Sequence, residues 1–298
     1  MNDLISGLLI QSLIFSIMVM GVYITYKILD FPDLSADGTF TLGASITANT
    51  LAMGINPIIT VLLSFVGGFM AGSITGFLNV KLKITNLLSG ILVMVSLYSI
   101  NLRIMGRANI ALFNYDNLFE QNPLFISIMV TLIIAIFFTL FFKTKLGYLI
   151  KACGNNETMV SSLSRNPNQI KVLALCISNG LIALSGSLMA YYQGFSDINM
   201  GTGIIVIGLA SIIMGLSLKQ KIKGLNIALL CFIGSFLYRG SLLIALRAGF
   251  NPSDLKLISC IIVVIALSSP NFKFKKKNSL TKKLKTSAPL IKDTKEVA

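Results

Sequence analysis

The sequence predicts an all-α, polytopic membrane protein with about nine transmembrane helices. Its 298 residues are 54% hydrophobic and only 12% charged, with a mean hydropathy of +0.81, whereas soluble domains carry roughly 25% charged residues. Residues 84–102, 121–142, 172–196 and 198–218 contain no Asp, Glu, Lys or Arg. Because a membrane-spanning helix needs about 20 mostly apolar residues, these runs indicate transmembrane helices and not the weaker alternating pattern of a membrane barrel.

Nine apolar segments follow one another within a transmembrane domain of residues 1–272. They cover approximately residues 5–28, 41–56, 58–79, 84–102, 123–142, 172–193, 204–218, 225–246 and 255–271. The first has no basic residue before it and no small-residue cleavage site, so we interpret it as a retained helix and not as a signal peptide. The second, with about 16 residues or roughly 24 Å of helix, is short for a full crossing.

An acidic segment, "ILDFPDLSADGTF" at residues 28–40, precedes the short span. It holds three of the 11 acidic residues of the chain: Asp30, Asp33 and Asp37. Because Pro32 and Gly38 do not continue a helix cheaply, the sequence predicts one broken or short helix near residues 30–56. Non-helical backbone at membrane depth is tolerated only against protein or a watery cavity. We therefore expect residues 30–39 to be buried beside a water-filled path, with a solvated surface loop as the alternative.

Basic residues are distributed unevenly between the two sides of the membrane. Nine of the 25 lie in the tail, residues 273–298, and ten more lie in the loops at 81–83, 143–171 and 219–223. The positive-inside rule makes these segments cytoplasmic, which places the C-terminus inside and, through nine crossings, the N-terminus outside. We interpret the tail as a solvated extension that also touches anionic lipid head groups. This distribution argues against nucleic acid as the partner of a chain with a net charge of +14.

The remaining composition offers no catalytic or metal chemistry. The four cysteines are far apart and form no CxxC pattern, and the chain has no histidine. We interpret the cysteines as small buried thiols, and we expect no metal site. Metalloprotease, hydrolase and phosphate-loop motifs are all absent. The sequence thus predicts a non-enzymatic protein that has no cofactor of its own.

Small and charged residues inside the spans predict close packing and a buried charge. Gly68, Gly72 and Gly76 recur at every fourth position, which lets helix backbones approach closely. We favour packing within the chain over a dimerisation motif. Arg239 lies inside the eighth span, where an ionisable residue is a functional-site hypothesis. The alternative is that this span ends early and Arg239 reaches the outer interface.

The longest predicted cytoplasmic loop, "KTKLGYLIKACGNNETMVSSLSRNPNQIK" at residues 143–171, contains a helix-competent stretch. A Gly-Asn-Asn sequence at residues 154–156 can end one helix, and residues 157–163 can form another that ends before Pro167. A partner protein that binds such a helix can displace it. The alternative is that the segment only connects two spans. Many spans joined by short loops suit a solute pathway, which leaves a motor-driven transporter, a channel and an ion-coupled secondary carrier as alternatives.

Five stretches carry a resemblance to a known family. They are "ILDFPDLSADGTFTLGA" at 28–44, "LLSGILVMVSLYSINLRIMGRANI" at 87–110, "TKLGYLIKACGNNETM" at 144–159, "SNGLIALSGSLMAYYQGFSDINMGTGIIVIGLASIIMG" at 178–215 and "DLKLISCIIVVIAL" at 254–267. With them the chain resembles the inner-membrane permeases of ABC importers in the branched-chain amino acid and ribose permease superfamily. Within it, the chain is similar to a bacterial subgroup associated with amino acids such as tryptophan and tyrosine. Leu216 departs from the family, which usually has an acidic residue there.

The resemblance implies a subunit that moves a small solute, an amino acid, into the cytoplasm by alternating access. It also implies cytoplasmic ATPase subunits that carry ATP and Mg, an extracytoplasmic binding protein, and a second permease copy in a homodimer. The inner-loop helix would be the ATPase coupling helix, formed by Gly154, Asn155, Glu157, Met159, Val160 and Leu163. The candidates for the translocation path are Asp30, Asp33, Asp37, Asn86 and Arg239. The identity of the solute does not follow from these residues.

Overall fold

The structure, a computed structural model, describes residues 2–115, 118–119, 122–219, 226–249 and 254–268. These residues form eleven helices and two short strands. The helices are α1 (Asn2–Val22, continued by a π-helical turn at Tyr23–Ile28), α2 (Ser35–Ala52), α3 (Pro57–Val80), α4 (Asn86–Met105), α5 (Pro123–Phe141), α6 (Lys145–Asn155), α7 (Glu157–Ser162), α8 (Pro167–Gln193), α9 (Ile204–Lys219), α10 (Ile227–Arg247) and α11 (Leu255–Ser268). The strands are β1 (Asn109–Ala111) and β2 (Phe195–Asp197).

The helices confirm a polytopic α-helical membrane protein. Within the described residues, α1 with its π-helical turn, α3, α4, α5, α8 and α10 are the six helices that are long and apolar enough to cross a membrane. The other predicted spans correspond to the shorter or less apolar α2, α9 and α11, so the number nine stays a prediction. The antiparallel pair of β1 and β2 was not expected from the sequence. The basic tail at 273–298 lies outside the described residues.

α8 is the central helix, and it packs against α1, α2 and α3. Glycines on α3 let its backbone approach that of α8 closely. A Cβ added at Gly68 would overlap the carbonyl oxygen of Asn179, and one at Gly72 would overlap that of Leu175. Gly76 lies against Val172, one turn closer to the start of α8. The three glycines therefore face α8 of the same chain, which is the kind of contact that small residues permit between membrane helices.

Serine hydroxyls fasten α1 to its neighbours. Ser185 on α8 donates to the carbonyl of Ile14 at 2.8 Å, and Ser178 donates to that of Gly21 at 2.7 Å. Ser235 on α10 donates to the carbonyl of Ser12 at 2.7 Å. Such bonds satisfy polar side chains inside the bundle without exposing them to lipid. They also show that α1 and α8 run antiparallel, because lower numbers on α1 meet higher numbers on α8.

The acidic segment turns back into the bundle. Ile28, at the end of the π-helical turn, lies against Gly154 of α6. Five residues later, Asp33 is bonded to Asn179, which lies twelve residues along α8 from Pro167, or roughly 18 Å of helix. α2 therefore begins in the middle of the bundle and not at its edge.

Two expectations about this segment are wrong in detail. The helix begins at Ser35, six residues before the predicted start, and Gly38 is part of it. Only residues 29–34 interrupt the helices. Gly38 does not break the helix but allows α2 to pack closely against α4. A Cβ added to it would lie 3.0 Å from the Cβ of Leu97 and 3.2 Å from the Cα of Met94. Within residues 30–39, Asp30 and Pro32 are exposed, while most of the others are buried.

A second loop enters the bundle from the opposite end. The chain between α8 and α9 reaches α2, where the backbone N–H of Gly201 donates to the hydroxyl of Thr41 at 3.0 Å. α9 then begins at Ile204 beside the first turn of α2. The acidic segment and the loop before α9 thus meet at the start of α2, and both contribute polar groups there.

Candidate functional site

The carboxylate of Asp33 is the centre of a buried polar cluster. One oxygen, Oδ1, accepts from the backbone N–H of Ser35 at 2.9 Å and from its hydroxyl at 2.6 Å. The other, Oδ2, accepts from the Nδ2 of Asn179 at 2.8 Å. Thr75 on α3 donates to the Ser35 hydroxyl at 3.3 Å. The side chain of Asp33 is only 3% exposed, and a buried carboxylate is stable only when its oxygens are bonded in this way.

This cluster joins the acidic segment to three helices. Asn179 belongs to α8 and Thr75 to α3, while Gly90 of α4 lies so close that an added Cβ would be 2.7 Å from the N of Leu34. Because the side chain of Asp33 is enclosed and protein donors bond both of its oxygens, the geometry supports an anchoring role. Its predicted role in the path stays a prediction.

Asp37, in the first turn of α2, caps the start of α9. Its Oδ2 accepts from the backbone N–H of Gly203 at 2.8 Å, and its Oδ1 accepts from that of Ile205 at 2.9 Å. The first N–H groups of a helix lack partners within the helix, and a carboxylate there also meets the positive end of the helix dipole. Asp30 differs from both other aspartates, because it is exposed and has a positive φ of 55°.

A cavity of about 320 Å³ lies between α2, α4 and the loop before α9. Its polar lining includes Asp37, Thr41, Tyr98, Asn101 and Thr202. Of the predicted path residues, Asp37 lines this cavity, whereas Asp30, Asn86 and Arg239 do not.

Asn101 is the least expected member of the lining. Its Nδ2 donates to the carbonyl of Gly38 at 3.1 Å, and its side chain is 1% exposed. Its Oδ1 is buried and has no hydrogen-bond partner among the described residues. Sequence reasoning missed this residue, although Tyr98 and Asn101 stand three apart in an uncharged span and therefore share one helix face.

α4 presents a partly polar surface where the cavity opens. Ser96, Tyr98 and Ser99 are exposed at the middle of this helix, next to the exposed Val95. On α5, by contrast, every exposed residue is apolar. Lipid tails offer no hydrogen bonds, so the face of α4 is less suited to lipid than that of α5.

The two remaining path candidates lie away from the cavity. Asn86, at the start of α4, accepts from the Nδ2 of Asn79 at 2.8 Å. Arg239 lies within α10, which continues to Arg247, so the span does not end early. Its guanidinium carbon is 3.9 Å from the centre of the Phe15 ring, and its Nε is buried without a hydrogen-bond partner in the described chain. The guanidinium is therefore directed at the bundle and not at the outer interface.

The inner loop forms two helices, one that ends at the Gly-Asn-Asn sequence and one that follows it, as the sequence predicted. The proposed coupling helix, which began at Gly154, is interrupted at Asn156, where the backbone is extended and the side chain accepts from the N–H of Thr158 at 3.0 Å. Gly154 and Asn155 end α6, and α7 follows. A salt bridge of 2.7 Å between Glu157 and Lys171 holds α7 to the start of α8.

Opposite faces of α7 have different surroundings. Val160 is fully buried by other residues of the same chain. It therefore does not project outward, although the predicted coupling helix included it. Met159 and Leu163, which lie four apart on one face, are 55% and 56% exposed. In α6, burial raises the pKa of the Cys153 thiol, with Lys171 acting against this effect, which fits the interpretation of an inert thiol.

The comparisons with known proteins agree with this architecture. The model of the family "branched-chain amino acid transport system / permease component" matches residues 4–267. The chain belongs to this family. The resemblance found in the sequence is thereby confirmed, and the family is one of ABC-type permease components and not of enzymes.

Two relatives and one solved structure are similar over most of their length. A tyrosine transport system permease protein of Clostridioides difficile (strain R20291) is 49% identical over 299 residues, which covers 100% of both chains. An uncharacterised protein of Rickettsia prowazekii (strain Madrid E) is 38% identical and covers 90% of this chain and 98% of its own. PsaBC from Streptococcus pneumoniae, solved with a Fab, has a TM-score of 0.56 at 13% identity, over 90% of this chain and 92% of that one. This last similarity concerns the fold alone.

We predict that Asp33→Ala destabilises the protein strongly, whereas Asp30→Ala does not. The first change removes three buried hydrogen bonds, those from the backbone N–H and hydroxyl of Ser35 and from the Nδ2 of Asn179. A buried donor that loses its acceptor typically costs about 1–3 kcal/mol. The second removes an exposed side chain from the same segment. Thermal unfolding of the purified permease in detergent measures both effects, and equal melting temperatures for the two variants would contradict the anchoring role.

Proposed function

We propose that the protein is the membrane permease subunit of an ABC importer that moves an aromatic amino acid such as tyrosine into the cytoplasm. The observation that carries the proposal is the 49% identity over the full length to a tyrosine transport system permease. In this proposal, transport proceeds by alternating access and depends on a separate ATPase that binds ATP and Mg. An extracytoplasmic binding protein delivers the solute to the outer side.

The α6–α7 unit supports the proposed contact with the ATPase. The face of α7 with Met159 and Leu163 is exposed and apolar, while Val160 and the salt bridge from Glu157 to Lys171 hold the opposite face. A helix with one buried face and two exposed apolar side chains on the other suits a docking element, because buried apolar anchors carry most of the energy of an interface. The basic loops support a cytoplasmic location for this unit.

A chain of direct contacts leads from α7 to the cavity. α6 packs through Gly154 against Ile28, and the next residues carry Asp33, whose bonds fix the start of α2. α2 in turn supplies Asp37 and Thr41 to the cavity. Movement of α6–α7 by the ATPase would therefore act on the segment that positions the polar lining.

A second copy of the chain completes the proposed path. The cavity opens on the face of α4 where Val95, Tyr98 and Ser99 are exposed. If lipid covered this face, the polar groups would lie against hydrocarbon, which is costly. Two copies related by a twofold axis, with their α4 faces opposed, would enclose a polar path between them.

The source of energy tests the proposed function directly. Uptake of labelled tyrosine by cells that contain the permease, its ATPase and its binding protein should cease when the ATPase loses its phosphate-loop lysine, because that residue contacts the ATP phosphates. Uptake that persists in this variant and follows the proton or sodium gradient would instead support an ion-coupled carrier. Uptake that persists without any gradient dependence would support a channel.

We predict that the pair of changes Met159→Asp and Leu163→Asp releases the ATPase and abolishes uptake. Each places a charge on the exposed apolar face of α7, and truncation of a buried anchor alone can cost above about 2 kcal/mol of binding. Co-purification of the ATPase with the permease measures the effect. The matched control is Met159→Leu with Leu163→Met, which keeps the volume and apolar character and should retain the ATPase. A double Asp variant that still co-purifies and transports would exclude this face as the coupling surface.

We also predict that Val95→Cys cross-links two copies of the chain in membranes. The control is Phe137→Cys on α5, which is at least as exposed, with 71% against 61% for Val95, but lies on a face suited to lipid. Both are tested with a short thiol-reactive cross-linker after replacement of Cys260, which is also exposed. Dimers at residue 137 and none at residue 95 would show that the interface lies elsewhere.

A further inference from the structure

The Oδ1 of Asn101 is a buried hydrogen-bond acceptor that no described residue satisfies. The Nδ2 of the same amide is fixed by the carbonyl of Gly38 at 3.1 Å. Because the carbonyl oxygen of Gly38 can only accept, the amide nitrogen of Asn101 must face it, and the amide oxygen is the atom without a partner. Buried polar atoms in folded proteins are nearly always paired, so an unpaired one requires an explanation. Asn101 lines the cavity between α2 and α4, where a bound molecule can supply the missing donor.

The charge of the cavity favours a cationic donor. Asp37 is in its lining, and neither Lys nor Arg is. The two backbone N–H groups at the start of α9 bond to this carboxylate, but a helix N-terminus contributes only about half a positive charge. The cavity therefore keeps net negative character, and both carboxylate oxygens retain lone pairs beyond the bonds they accept.

One wall of the cavity, on α4, suits an apolar or aromatic side chain. Met94 and Val95 line the cavity on α4, and the ring of Tyr98 stands at its exposed side. The volume of about 320 Å³ lies at the lower end of the range of about 300–1,000 Å³ for small-molecule sites. A small solute with one ammonium group and one apolar group matches this combination of walls and charge.

We propose that Asn101 is a specificity-determining residue whose Oδ1 accepts a hydrogen bond from the ammonium group of the transported amino acid. Asp37 supplies the negative charge that attracts the same group. The aromatic or apolar side chain of the solute lies against Met94, Val95 and Tyr98. This inference rests on the proposed function, because it takes the cavity to be part of the solute path.

The binding test uses three probes that differ in their charged groups. L-tyrosine carries an ammonium and a carboxylate, tyramine carries the ammonium alone, and 3-(4-hydroxyphenyl)propionate carries the carboxylate alone. We expect tyrosine and tyramine to raise the melting temperature of the purified permease–ATPase complex, and we expect the propionate not to do so. A propionate that stabilises as well as tyrosine, or the absence of any shift with tyramine, would overturn the proposal.

Substitutions at Asn101 test whether the stabilisation by tyrosine and tyramine depends on this side chain. Asn101→Leu has a similar size but no acceptor, so both shifts should disappear. Asn101→Asp loses the bond to the Gly38 carbonyl but keeps an acceptor oxygen, so it should retain the shift with tyramine. The control is Ser73→Ala, which removes a hydroxyl of α3 that bonds only the carbonyl of Met70 and does not line the cavity. The melting temperature without probe, together with the amount of complex recovered, identifies any variant that has lost its fold.

Measurements of tyrosine uptake distinguish a failure of this inference from a failure of the proposed function. Removal of a hydrogen bond to a charged group corresponds to a loss of about 10- to 100-fold. The efficiency of tyrosine uptake in Asn101→Leu should therefore fall by that factor, whereas that of Ser73→Ala should not change. If Asn101→Leu binds tyramine and transports tyrosine as the wild type does, the inference is wrong and the function stands. If the wild type shows no ATPase-dependent uptake of tyrosine, the proposed function itself fails.

Discussion

The hydrogen bond between Asp33 and Asn179 determines how the rest of the bundle is arranged. It holds the chain after α1 at the middle of α8, so that α2 starts inside the protein. From that start, α2 carries Asp37 to the beginning of α9 and Gly38 to α4. A charged group at this depth is costly unless every oxygen is bonded, and the cluster with Ser35 and Thr75 meets this requirement.

The three aspartates of one short segment have three different surroundings. Asp30 is exposed, Asp33 is enclosed by side chains of α3 and α8, and Asp37 caps a helix and lines a cavity. Their spacing explains the difference, because residues 30 and 33 lie on a non-helical turn whereas residue 37 lies on the first turn of α2. A carboxylate count alone therefore does not describe the chemistry of this segment.

The α6–α7 unit and the cavity lie at opposite ends of one contact path. Gly154 and Ile28 touch at the first end, and Asp37 and Asn101 face the cavity at the other. Between them the chain is short and closely packed, which suits the transmission of a rigid displacement. Under the proposed function, this arrangement lets an ATPase that contacts only α7 alter the surroundings of a solute inside the membrane.

The sequence by itself determined the membrane class, the family, the approximate positions of the six long apolar helices and the presence of a helix in the 143–171 loop. These properties depend on hydropathy, charge and motifs within short windows, which are local. Only the tertiary structure decided that Gly38 is helical, that Val160 is buried and that Asn101 has an unpaired acceptor. The bond of Asn101 to Gly38 spans 63 residues and that of Asn179 to Asp33 spans 146. Contacts at such separation arise from the packing of whole helices, and no local pattern specifies which side chains will meet.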